Sequence, residues 1–101
     1  MTVINFTQSF KMLDGTDVKL PDGKVATLKF FACEVLQMSF QDEQNLPAQD
    51  KCKRWLLATR IYANPEKIDL EAEDIAELKK LIGKAYGPLV VAQALAMLEG
   101  K

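Results

Sequence analysis

The chain has 101 residues, of which 49% are apolar, with 13 Lys and Arg against 14 Asp and Glu. That is enough apolar surface for one core without metal or disulfide staples, so a single domain over 1–101 is expected. The near balance of charge disfavours a duplex-coating or membrane-surface protein. The absence of His removes Ser-His and Cys-His nucleophiles, a His general base and the ordinary catalytic zinc site.

Residues 1–9 alternate weakly through Val3, Ile4 and Phe6 and read as an edge strand or a loose arm. Asp14-Gly15 and the Pro21-Asp22-Gly23-Lys24 turn sit between short apolar runs, which predicts a β-hairpin unit over 10–26. A unit that small persists only when packed on helices. No internal repeat is expected. Thr27 suits an N-cap for a helix over 28–40, in which Leu28, Phe31, Ala32 and Val35 form one stripe. Pro47 opens a second helix over 48–63, and Asn64-Pro65 stops it. In this helix Cys52, Trp55, Leu56 and Thr59 form the expected core stripe, widened by Leu57 and Ile61, so Trp55 reads as a core anchor. A third helix over 70–86 has acids in its first turn and lysines later, which matches its macrodipole. Gly87-Pro88 then makes a corner into a fourth helix over 88–99, apolar nearly all round. Its Val91, Leu95 and Leu98 face is expected to fill the core. A second face, Val90, Ala94 and Met97, with Tyr86 at the corner, is the candidate partner surface. The fold class is therefore α+β, mostly helical, with the hairpin packed on a four-helix bundle.

Few residues invite chemistry. Glu66, Asp69, Glu71, Glu73, Asp74 and Glu77 cluster, but without the order of a calcium loop, and read as a solvated helix start. The Asp-Gly turns lack the Lys-Ser or Lys-Thr of a phosphate loop. Glu34 or Asp50 with lysines is the weak enzymatic alternative. Cys33 and Cys52 read as reduced thiols on buried helix faces, with no spacing that supports a bridge. Tyr62 and Tyr86 each end a helix and read as half-buried rings with wet tips. Lys51, Lys53, Arg54 and Arg60 form a candidate basic face for nucleic acid. A helix-turn-helix reading fails, because its recognition helix would present Glu71, Glu73 and Asp74 to a polyanion. No catalytic, metal or cofactor-binding residue is assigned, and no cofactor is expected.

Lys53-Arg54-Trp55-Leu56-Leu57-Ala58, Glu73-Asp74-Ile75-Ala76 and above all Ile82-Gly83-Lys84-Ala85-Tyr86-Gly87-Pro88-Leu89-Val90-Val91 resemble segments of small uncharacterised proteins encoded in tailed-phage and prophage genomes. The resemblance runs from Asp14-Gly15 to the C-terminus. It implies a phage-associated, non-enzymatic accessory role through protein–protein contact, in virion assembly or host-factor binding. A nucleic-acid regulator using the basic face is the alternative. The partner is expected to be a phage or host protein or a second copy of the chain, without membrane. The N-terminus lacks a basic region followed by an apolar run, and the C-terminal apolar run is too short to span a bilayer. The expected setting is accordingly the host cytoplasm, free or on a virion.

Overall fold

A computed structural model describes residues 2–100. The fold is α+β and mostly helical, in the order β1 (Thr2–Ile4), α1 (Leu28–Gln37), a 3-10 turn (Gln41–Glu43), α2 (Ala48–Ala63), β2 (Ile68–Leu70), α3 (Ala72–Ala85) and α4 (Pro88–Leu98). The four helices fall where hydrophobic period, caps and prolines place them. The Thr27 hydroxyl accepts from the Phe30 amide at 3.4 Å and starts α1. Pro88 sits in the first turn of α4, where its missing N–H costs nothing. Two ends move. The first helix stops at Gln37 rather than 40, and the third starts at Ala72, because Ile68–Leu70 is strand.

β2 pairs antiparallel with β1, setting Thr2 opposite Leu70, Val3 opposite Asp69 and Ile4 opposite Ile68. Residues 2–9 are therefore an edge strand continuing into a sewn-in arm. The Phe6 amide donates to the Pro65 carbonyl at 2.6 Å, and the Phe6 carbonyl accepts from the Lys29 amide at 2.8 Å. Ile4, Phe6 and Phe10 are buried, so the arm anchors the core. β2 was hidden in the sequence because three residues carry too little periodicity, and their partner lies at the far end of the chain.

The turn unit of 10–26 is held by bridges, Ser9 to Thr27, Lys11 to Asp17 and Lys19 to Val25, rather than by extended strands. The Val18 amide donates to the Phe10 carbonyl (2.9 Å), Phe10 to Ala26 (3.1 Å) and Ala26 to Val18 (2.8 Å). Each segment thus bonds to both others, which three strands of a flat sheet cannot do. The spacing of eight exposes a repeat that the sequence reading missed. Gly15 donates to Met12 and Gly23 to Leu20, while Asp14 accepts from Thr16 and Asp22 from Lys24. Gly15 (φ 88°) and Gly23 (φ 86°) supply the left-handed step that other residues resist. The unit docks on α4 through the Gln93 side chain, which accepts from the Lys11 amide and donates to the Lys11 carbonyl, both at 2.9 Å.

The core gathers Phe6 and Phe10 from the arm and turn unit, Leu28, Phe31 and Val35 from α1, Leu57 and Ile61 from α2, Leu78, Leu81 and Ile82 from α3, and Ala94 and Leu98 from α4. Phe31 is its aromatic hub, edge-on to Phe10 (4.8 Å) and Tyr86 (4.9 Å). Among the described residues no helix is long and apolar enough to cross a membrane.

Candidate functional site

α2 turns a different face inward from the one expected. Its buried residues are Arg54, Leu57, Ala58 and Ile61, again at helical spacing. The Cys52, Trp55, Leu56, Thr59 stripe faces solvent, with Trp55 56% and Leu56 60% exposed. Trp55 is therefore not a core anchor, and Cys52 is an exposed thiol rather than a buried one. Arg54 masked the true stripe, because an arginine is discounted as a core position unless its charge is known to be paired.

Arg54 is paired thoroughly. Its guanidinium donates to both oxygens of Glu43 at 2.8 and 2.7 Å and reaches Glu77 at 2.7 Å. Lys84 lies 3.4 Å from Glu43 and 3.0 Å from Asp42, and Lys80 lies 3.8 Å from Glu43. This network ties the 3-10 turn to α2 and α3. The Arg54 hydrogen bonds hold the Glu43 carboxyl down at about 2, against the opposing effect of its burial.

The candidate basic face is thereby taken apart. Arg54 is buried among carboxylates, and Arg60 donates to the Asp69 carbonyl at 3.1 Å. Lys53 lines a cleft toward α3 with Asp50, Glu73, Asp74 and Glu77. Lys51 lines a groove beside the exposed Trp55, in which the other basic residue, Arg54, is already paired with Glu43 and Glu77. The α3 cleft sets Asp50 among charges of both signs, and Glu34 is exposed on α1. Among the described residues no cluster of carboxylates and thiols has the arrangement to hold a metal ion.

The candidate partner surface on α4 also needs correction. Ala94 is fully buried, and Val90 and Met97 pack against the core, as does Val91. Leu98 is buried as expected, whereas Leu95 is half-buried and lies outside the core cluster. The inward face is thus rotated from the one expected, because Gly87-Pro88 sets the direction of α4 and near-uniform apolarity gives its faces no distinction. Tyr86 is inverted as well. Its ring packs on Phe31, its hydroxyl is enclosed without a hydrogen-bond partner, and burial pushes its pKa up to about 12. Tyr62, by contrast, is 68% exposed.

What these shifts assemble is a surface between α1 and α2. One groove of about 370 Å³ is lined by Cys33, Gln37, Trp55, Ala58, Thr59 and Tyr62. A second, of about 530 Å³, lies on the other side of Trp55 and Gln37 and reaches Met38, Phe40, Leu46 and Lys51. The Cys33 thiol points at the Ala58 carbonyl (3.7 Å), and burial raises its pKa, so it is packing rather than a reactive thiolate. The Lys29 ammonium stands 4.3 Å above the Tyr62 ring. Chemically this is a wall of aromatic and small apolar groups suited to contact, with no nucleophile–base pair. The signal for it was present in the sequence as an apolar stripe on α2, read with the wrong face inward. No known protein family, curated protein or solved structure matches this chain.

Proposed function

We propose that this protein is a non-enzymatic accessory protein of a tailed phage or prophage that acts by docking another protein on the α1–α2 surface. The observation that carries this reading is the exposure of Trp55, Leu56 and Tyr62 on one helix of so small a chain. Aromatic residues left in water beside a groove are the usual anchors of protein interfaces. Covering the exposed half of a ring the size of Trp55 contributes about 2–3 kcal/mol at about 25 cal/mol per Å². The phage setting, in virion assembly or host-factor binding, rests on the resemblance of the α2, α3 and α4 segments. The nucleic-acid alternative is weakened, since Arg54 is occupied by Glu43 and Glu77 and the other three cations point to different neighbours.

Co-purification with the products of the adjacent genes tests the reading. The tagged protein is expected to retain one of them, and Trp55→Ser with Tyr62→Ser is expected to lose it while far-ultraviolet dichroism stays unchanged. Retention that ignores both substitutions, or salt-sensitive binding to DNA or RNA with no protein retained, overturns it.

A further inference from the structure

We propose that the α1–α2 surface receives an acidic, apolar-faced segment of the partner, with its carboxylates directed to Lys51 and Lys29. This deepens the docking reading and rests on it. The charge layout carries the inference. Lys51 lines the groove on one side of Trp55, and Lys29 covers Tyr62 at the other end. Neither has an ion-pair partner among the described residues, although Lys11, Lys79, Lys80 and Lys84 all do. The groove between Cys33 and Tyr62 contains no carboxylate. In the adjoining groove the only one is Glu43, already held by Arg54 and Lys84. Asp50, the one acid of α2, lines the cleft on the α3 side. An apolar wall bracketed by two uncompensated cations selects a segment of opposite sign, and electrostatic complementarity then sets register and partner choice. Lys51 and Tyr62 are eleven positions apart on α2, a rise of about 16 Å along the helix axis at 1.5 Å per residue, and the Lys29 ammonium stands over the Tyr62 end of that span. That separation suits acids about three helical turns apart in a bound helix.

A second copy presenting the same face would set these lysines against their equivalents, which is unfavourable. A nucleic-acid strand would gain two phosphate contacts at most here, while the exposed Glu66, Glu71 and Glu73 on the same molecule repel it.

The test selects binders from a displayed library of random peptides about 15 residues long, in which acidic and basic residues are equally frequent. Synthetic copies of the winners are then titrated against the full chain. Trp55, the single tryptophan, reports contact directly through its fluorescence. Selected peptides are expected to carry Asp or Glu flanking an apolar stripe, and to shift Trp55 emission to the blue. Their binding should weaken about tenfold with Lys51→Glu and with Lys29→Glu, and should weaken with added salt. Trp55-dependent binders that are neutral or basic overturn the charge assignment and leave the docking reading standing. A selection with no Trp55-dependent binder overturns it too, and co-purification then decides the docking reading separately. A concentration-dependent mass that blocks peptide binding assigns the surface to a second copy. An emission shift with oligo-dT and none with peptides assigns it to nucleic acid. Either outcome overturns the proposal.

Discussion

α2 and α4 solve opposite problems. α2 has a charged composition, yet it buries an arginine and exposes Trp55, Leu56 and Tyr62. α4 has almost no polar side chain, yet it fully buries only Ala94 and Leu98 and leaves Leu95 partly buried. Hydrophobicity alone therefore does not tell which face of a helix is inside. In α2 the inward choice is stabilised by the carboxylates that meet Arg54, and the aromatics left outside become available for contact. In α4 the single glutamine has a role no leucine can take, because Gln93 fastens the turn unit through two backbone hydrogen bonds.

The contrast breaks most sharply within α4. Ala94→Asp puts an unpaired charge at a fully buried position and should cost about 4 kcal/mol or more, enough to unfold the chain in a urea titration. Leu95→Asp, one residue away on a partly buried position outside the core, should cost clearly less and leave a folded protein; equal losses at the two sites would show that both faces are interior.

Arg54→Ala comes next. It leaves Glu43 and Glu77 without their main partner, and about 3 kcal/mol is expected, near the lower end for a broken buried pair because Lys84 and Lys80 stay close. A loss below about 1 kcal/mol would mean that the network is solvated in solution.

The same network sharpens the comparison through pH. The Glu43 carboxyl is held at about 2 against an ordinary 4.5, so the folded state prefers its ionised form. The stability it contributes is complete above 4.5 and is lost as pH falls from there through about 2. Glu43→Gln should be less stable at neutral pH and should flatten that acid limb. A variant whose stability falls as steeply as the parent's below pH 4.5 would place the acid sensitivity elsewhere.

Trp55→Ser should have the smallest effect, within about 0.5 kcal/mol, as for a surface site. A destabilisation of 2 kcal/mol or more, typical of a buried aromatic, would restore Trp55 to the core and remove the docking surface with it.

Much of the architecture was open to reading because local signals carry it. Thr27, Pro47, Asn64-Pro65 and Gly87-Pro88 mark helix ends through capping and through the backbone limits of proline, which act over a few residues. The same locality makes the two Asp-Gly turns legible. The candidate site was legible only as a stripe. Cys52, Trp55, Leu56 and Thr59 were recognised as one face, while its direction depended on Glu43 and Glu77, which meet Arg54 from the 3-10 turn and from α3. Lys51, Lys53 and Arg60 were near one another in sequence, and their separate neighbours come from α1, α3 and β2.

By itself, then, the sequence determined the helices, the ends that carry a cap or a proline, the tight turns and the absence of His chemistry, since each follows from backbone propensity or from the side chains present. Tertiary structure decided three further matters: which face of α2 and of α4 points inward, that Ile68–Leu70 becomes a strand under β1, and that Tyr86 is enclosed while Trp55 is not. Those outcomes depend on pairings between distant segments, where the free energy of a buried contact is set by the partner rather than by the residue alone.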